Sequence, residues 1–147
     1  MQRLPLVIHE RHGAWSRQLR PRLAGWPIRW SESRSAADLE AALFLESCPI
    51  LVVDLADRPI AGLDALGMAV VVAPNALSLV LDPGAYPGVA VVARELGATH
   101  VLSGHAPPPA VAELLARWLP LAGRRAEAEG WAAGSALGSE SELLTRR

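Results

Sequence analysis

Short apolar runs and helix-like periodic segments follow one another along the whole chain. Five short runs are rich in apolar residues, as expected for the strands of a parallel sheet that is covered on both faces, and each is followed by a segment with apolar residues at three- or four-residue spacing. The predicted strands are residues 4–8, 28–30, 50–54, 77–81 and 100–103. Five strand-helix units of this length predict a doubly wound α/β fold with a five-stranded parallel sheet and right-handed crossovers.

The segment of residues 60–73 is compatible with two structures. Its second half, Met-Ala-Val-Val-Val-Ala at 68–73, also has the composition of a strand. A helix over 60–73 places Leu63, Leu66 and Val70 on one face, and Pro74 ends it before the next strand. We therefore predict a helix, which burial must stabilise because valine has weak helix propensity.

The remaining helices are predicted from caps and apolar spacing. Ser35 precedes a helix with Leu39, Leu43 and Phe44 on one face, and the prolines at 107–109 precede a strongly amphipathic last helix. The composition then changes to alanine, glutamate, glycine and serine. We predict one domain over residues 1–122 and a C-terminal tail over residues 123–147 that is flexible or docks on a partner.

Composition excludes several functional classes. No stretch reaches the roughly 18 uninterrupted apolar residues of a membrane span, and the N-terminus lacks a secretory signal, so we expect a cytoplasmic protein without a membrane partner. The single cysteine, Cys48, forms no internal disulfide and is expected to be a small buried apolar residue. The formal net charge is −1 with scattered arginines, which argues against a nucleic-acid partner.

Ionisable residues stand where the predicted strands end. His9 and Glu10 follow the first strand, Asp54 ends the third, and Asp82 follows the fourth. The carboxyl ends of parallel strands border the crevice where open α/β sheets bind ligands, so we expect these four side chains to meet there, with His105 approaching from the fifth strand. Carboxylate oxygens are the ligands that Mg²⁺ prefers, which makes Glu10 and Asp54 candidate metal ligands.

Each of these acids also has a purely structural interpretation. Asp54 is equally compatible with an acid that accepts hydrogen bonds from the loop that follows it. Asp82 precedes Pro83 and Gly84 and is typical of a residue that opens a turn. The chain contains no lysine, so all fourteen basic side chains are arginines.

Three segments together resemble a known family. The run at 51–55, Leu-Val-Val-Asp-Leu, is similar to a strand that ends in a phosphoacceptor. Gly-Leu at 62–63 stands after the following loop, where that family often has the same pair. Residues 96–102 read Leu-Gly-Ala-Thr-His-Val-Leu, which is similar to the family's approach to its fifth strand. In order and spacing, over residues 4–121, these segments resemble the receiver domains of two-component response regulators, which are CheY-like. The resemblance implies the strand order 2-1-3-4-5 and an aspartyl phosphate formed at Asp54 with the help of Mg²⁺.

The chain departs from that family's pattern at three places. The resemblance implies a pair of acids where His9 and Glu10 stand, a hydroxyl residue where Asp82 stands, and Lys-Pro where Gly104 and His105 stand. We expect Asp82 to oppose phosphorylation, since two unit charges about 4 Å apart repel by roughly 4 kcal/mol at an effective dielectric of about 20. We therefore interpret the chain as a non-catalytic pseudo-receiver that needs no cofactor and acts as a protein-interaction or signalling adaptor, independently of phosphorylation.

The resemblance also implies an interface, because receivers commonly dimerise through the face built by the fourth helix, the fifth strand and the fifth helix. Trp118, with Leu115 and Leu119, is the candidate for this surface, and the expected partner is another protein or a second copy of the chain. Two alternatives remain open. One is a functional single-domain response regulator phosphorylated at Asp54 with Mg²⁺; the other is a small flavodoxin-like enzyme or ligand binder that uses the acidic crevice, although no nucleophile-base arrangement supports it.

Overall fold

Strands and helices alternate strictly from one end of the chain to the other. The computed structural model describes the backbone of residues 2–145 and the side chains of residues 2–130. The elements are β1 (Leu4–His9), α1 (Ala14–Arg22), β2 (Ile28–Ser33), α2 (Ala36–Leu43), β3 (Ile50–Asp54), α3 (Pro59–Val72), β4 (Leu77–Asp82), α4 (Val89–Glu95), β5 (His100–Ser103) and α5 (Pro108–Thr145). All five predicted strands are present.

The five strands form one parallel sheet in the order β2-β1-β3-β4-β5. This confirms the predicted fold class and strand order. The direction of winding reverses at β1, whose two neighbours are β2 and β3, so the loops that follow β1 and β3 diverge to opposite faces of the sheet. Residues at the carboxyl ends of these two strands therefore border a crevice.

Helix α3 confirms the helical interpretation of the ambiguous segment. Pro59 occupies its first turn, where the missing N–H costs nothing, and Ala65, Leu66 and Ala69 are buried. Gly62 faces β3 so closely that a Cβ at this position would overlap the side chain of Leu55. Burial thus stabilises a valine-rich segment that has weak helix propensity of its own.

Two apolar layers cover the sheet. One contains Ile50 and Val52 of β3 with residues of α1 and α5, and the other contains Leu51 and Val53 with residues of α2, α3 and α4. Because side chains alternate along a strand, Asp54 follows Ile50 and Val52 on the α1/α5 face.

Two predicted surfaces are corrected by the structure. Trp118 is only 8% exposed, and Leu115 and Leu119 are fully buried, because this side of α5 packs on the sheet; the three side chains are core and do not form an accessible interface. Phe44 is 66% exposed instead of sharing the buried face of Leu39 and Leu43. It is the C-cap of α2 and has left the helical conformation, so its side chain projects away from the domain.

Helix α5 continues through the predicted boundary at residue 122 to Thr145. The assignment of residues 123–147 as a flexible or docking tail stays a prediction, and Trp131 lies outside the residues whose side chains are described. Within the described part of the chain, no helix combines the length and the apolar character needed to cross a bilayer.

Candidate functional site

Asp54 lies at the carboxyl end of β3 with its side chain half-buried. Its Oδ1 accepts a hydrogen bond from the backbone N–H of Ala56 at 3.1 Å, as an acid that shapes the following turn does. Burial raises the pKa of the Asp54 carboxyl; the Ala56 N–H lowers it, and the carboxylates of Glu10 and Asp57 raise it further. Asp54 is thus a desolvated acid with one hydrogen bond among the described residues.

Glu10 caps the start of α1. The side chain is 5% exposed, and its two oxygens accept the backbone N–H groups of Trp15 at 2.8 Å and Ser16 at 2.9 Å. No side chain caps this helix at Gly13, so Glu10 supplies the missing acceptors and places a negative charge at the positive end of the helix. Both oxygens that a metal ion would use are already engaged.

His9 is held to the neighbouring strand. Its Nδ1 lies 2.8 Å from the Oγ of Ser33 in a hydrogen bond that links β1 to β2. Burial lowers the pKa of the His9 imidazole, and the charge of Asp38 opposes this only in part. The ring is therefore neutral at neutral pH and serves as a link between strands.

Asp82 is separated from the crevice, contrary to the prediction. Its side chain is 1% exposed and follows Val80 onto the α3/α4 face of the sheet, whereas Asp54 follows Val52 onto the other face. The acids whose charges raise the pKa of Asp54 are Glu10 and Asp57, and Asp82 is not among them. Neither carboxylate oxygen of Asp82 has a hydrogen-bond partner among the described residues. The repulsion expected between Asp82 and a phosphoryl group on Asp54 stays a prediction.

Gly104 has a backbone conformation that favours glycine. Its φ is +87°, and its N–H donates to the main-chain oxygen of Asp82 at 2.8 Å. A residue with a Cβ in the left-handed region costs roughly 1–2 kcal/mol, and asparagine or aspartate less. The position at which the resemblance implies a lysine is thus shaped for a residue without a side chain, and the neighbouring His105 is exposed.

The four predicted residues do not form a metal cluster. Within the part of the chain that the structure describes, no group of three or more His, Cys, Asp or Glu side chains is arranged to hold a metal ion. Glu10 and Asp54, the two predicted ligands, fit Mg²⁺ poorly because both oxygens of Glu10 are committed to α1.

A charged cavity of about 420 Å³ lies on one side of Asp54. The predicted residues that border it are His9, Glu10 and Asp54. The sequence interpretation missed five other charged residues of its wall: Arg11, Arg34, Asp57, Arg58 and Asp64. Four of them, the three arginines and Asp57, lie in loops that follow β1, β2 or β3, and this position after a strand end is the signal that identifies them in the sequence. The fifth, Asp64, lies in α3.

A second, mainly apolar cavity of about 260 Å³ lies on the other side of Asp54. It is an open cleft between the start of α1 and the segment that leads into α5. Its wall includes Trp15, Pro83, Gly104, His105 and Pro108. Asp54 borders both cavities, Gly104 and His105 border only this one, and Asp82 borders neither.

No protein-family model and no curated protein sequence matches the chain. Solved structures do match it. A CheY-like receiver domain protein from Methanospirillum hungatei JF-1 superposes with a TM-score of 0.70 at 15% identity, over 84% of this chain and 98% of that one. The chain has the receiver fold.

A second receiver-fold relative covers nearly the entire chain. The crystal structure of a response regulator from Burkholderia pseudomallei, with a phosphorylated aspartic acid, a calcium ion and citrate, matches 99% of this chain and 83% of that one, with a TM-score of 0.64 and 22% identity. The signal receiver domain of a putative Luxo repressor protein from Vibrio parahaemolyticus gives a TM-score of 0.67 at 15% identity, over 89% of this chain and 98% of that one. The structural similarity establishes the receiver fold, but sequence identities this low show nothing beyond the fold. The chemistry of Asp54 must therefore be argued from its own surroundings.

Proposed function

We propose that the chain is a pseudo-receiver, a non-catalytic signalling module of the cytoplasm that acts by binding another protein and does not depend on phosphorylation of Asp54. The observation that carries the proposal is Gly104. The lysine that the resemblance implies at this position is replaced by a residue in a left-handed conformation, held by its N–H to the oxygen of Asp82.

The remaining contacts expected for a phosphoryl group are also missing. Asp82, in place of a hydroxyl residue, belongs to the opposite face of the sheet, and Glu10 is engaged by the start of α1. A ligand shifts a conformational equilibrium only through contacts that differ between the two states. A phosphoryl group on Asp54 therefore has little means of changing the conformation of β4 or β5.

The surface of α4 supports a protein partner. Val91 and Val92 are exposed by 56% and 42%, and Tyr86, in the loop that leads into the helix, by 48%. Apolar side chains grouped in this way are typical of interaction surfaces. A second copy of the chain is the partner that we propose for this face. Sedimentation velocity tests it: we expect a dimer that dissociates when Val91 and Val92 are both replaced by serine.

Phosphorylation itself is tested with acetyl phosphate and Mg²⁺. We expect no gain of a phosphoryl group by intact mass and no change in sedimentation. Beryllofluoride with Mg²⁺ is the second probe, followed by amide NMR shifts around β4 and β5. A mass gain that disappears in Asp54→Asn, accompanied by a change in association, would overturn the proposal.

One observation favours a second candidate, a functional response regulator phosphorylated at Asp54. Three arginines, Arg11, Arg34 and Arg58, border the charged cavity beside Asp54 and place cations near the acceptor in a chain without lysine. For this candidate, Arg58→Gln reduces the yield of acyl phosphate. The acetyl phosphate experiment therefore distinguishes the two candidates with one additional variant.

A further inference from the structure

The apolar cavity beside Asp54 combines mainly apolar walls with a single carboxylate, that of Asp54. We propose that this cavity is a binding site for a small organic amine, a primary ammonium group joined to an aromatic or aliphatic body, with Asp54 as the residue that accepts the ammonium. The inference does not rest on the proposed signalling function.

The carboxylate of Asp54 has the capacity for this contact. Its Oδ1 receives one hydrogen bond, from Ala56, which also borders the cavity, and the side chain has no ion-pair partner among residues 2–130. Strand alternation places Asp54 on the α1/α5 face, where this cavity lies. An ammonium ion would provide the charge-assisted hydrogen bond that a half-buried carboxylate lacks, and burial, which raises the pKa of Asp54, strengthens such a contact.

The charges of the wall select the sign of the ligand. Among the residues whose side chains are described, Asp54 and the exposed His105 are the ionisable ones that border this cavity, and the arginines border the charged cavity on the other side. An anionic ligand would meet a carboxylate without a compensating guanidinium. A cationic ligand would bind the Asp54 carboxylate without repulsion from an arginine in the described wall of this cavity.

The walls suit an apolar body. Trp15 offers an aromatic surface, and the bond from its backbone N–H to Glu10 fixes its position at the start of α1. Pro83 and Pro108 form rigid apolar parts of the wall. An ammonium group near an aromatic face gains further attraction from the ring quadrupole. Most small-molecule sites have this composition, with apolar walls and few polar groups.

Gly104 leaves the space open. A Cβ built at this residue meets no described atom within 4 Å, so the space directly beside its Cα is open. The volume of about 260 Å³ corresponds to roughly nine water-sized atoms at about 30 Å³ each. Phenethylamine has this size and carries the required ammonium group.

Isothermal titration calorimetry of the full chain with phenethylamine tests the proposal. We expect a dissociation constant on the order of 0.1 mM for a ligand of this size. Asp54→Asn should weaken binding by about tenfold or more, because it removes the charge but keeps the shape. Asp64→Asn is the matched control, since Asp64 borders the charged cavity and not the apolar one and its charge does not act on Asp54, and it should bind like the unaltered chain. Phenylacetate, of similar shape and opposite charge, should not bind.

Three results would overturn the inference: no heat with phenethylamine, equal binding of phenylacetate, or equal effects of the two aspartate substitutions. Thermal unfolding of both variants confirms that they are folded. Trp15→Phe provides a second readout, since it retains an aromatic wall but weakens the cation-π contact, and we expect an affinity loss smaller than that of Asp54→Asn. Phosphorylation of Asp54, which would overturn the proposed function, leaves the outcome with the unmodified chain unchanged.

Discussion

Replacing Gly104 by lysine tests whether the conformation of this loop prevents the return of a phosphate-binding side chain. The residue has φ +87°, and a Cβ there would meet no neighbouring atom, so the penalty is conformational and not steric. The left-handed backbone costs a residue with a Cβ about 1–2 kcal/mol, and the lower entropy of the unfolded chain returns roughly 0.4–1 kcal/mol. We expect Gly104→Lys to lose about 1 kcal/mol of unfolding free energy.

Urea denaturation followed by tryptophan fluorescence measures this loss. Gly25→Lys is the matched control, because a Cβ at Gly25 also meets no neighbour while its φ lies outside the left-handed range. It should be neutral or slightly stabilising. Gly104→Asn should lose less than Gly104→Lys, since asparagine tolerates the left-handed region. If Gly104→Lys is as stable as Gly25→Lys, the loop is not constrained to a left-handed conformation, and the main support for the pseudo-receiver proposal is lost.

Three further predictions concern buried positions. Asp82→Asn should raise the unfolding free energy by roughly 1–3 kcal/mol in urea titrations, because the buried carboxylate has no partner among the described residues; a loss of stability would show that the charge is required. Burial lowers the pKa of His9 below its ordinary value of 6.5, so below that pH the unfolded chain binds more protons than the folded chain. The free energy of unfolding should therefore fall as the pH drops through 6.5. His9→Gln should flatten this dependence in urea titrations between about pH 7 and 5. In α3, Gly62→Ala should lose about 1–3 kcal/mol by overlap with Leu55, whereas Gly67→Ala, with ordinary contact distances, should gain up to about 1 kcal/mol in the same assay.

The sequence predicts the elements well because their signals are local. The five strands are separate runs rich in apolar residues, and Pro74 marks the end of the helix that precedes β4. The resemblance to receivers then supplied the strand order, which the structure confirms. The predicted strand ends also place Glu10 and Asp54 at one edge of the sheet, where both border the charged cavity, and their roles there stay predictions.

What the sequence did not predict depends on pairing between distant elements. The register between β3 and β4 pairs Asp54 with Leu81 and not with Asp82. Because side chains alternate along a strand, Asp82 then lies on the face opposite to Asp54, and the sequence does not reveal this register. Trp118 belongs to an amphipathic helix in either interpretation, but only its docking on the sheet shows that the side chain is core. The arginines of the charged cavity follow strands without any repeated spacing, so no motif marks them.

The cap formed by Glu10 has a consequence for any cation that enters the crevice. A metal ion that takes Glu10 as a ligand must compete with the two N–H groups that hold the first turn of α1. One of these belongs to Trp15, which lines the apolar cavity. Metal binding at Glu10 on one side of Asp54 would therefore loosen the anchoring of Trp15 on the other side, and the two cavities share a single carboxylate.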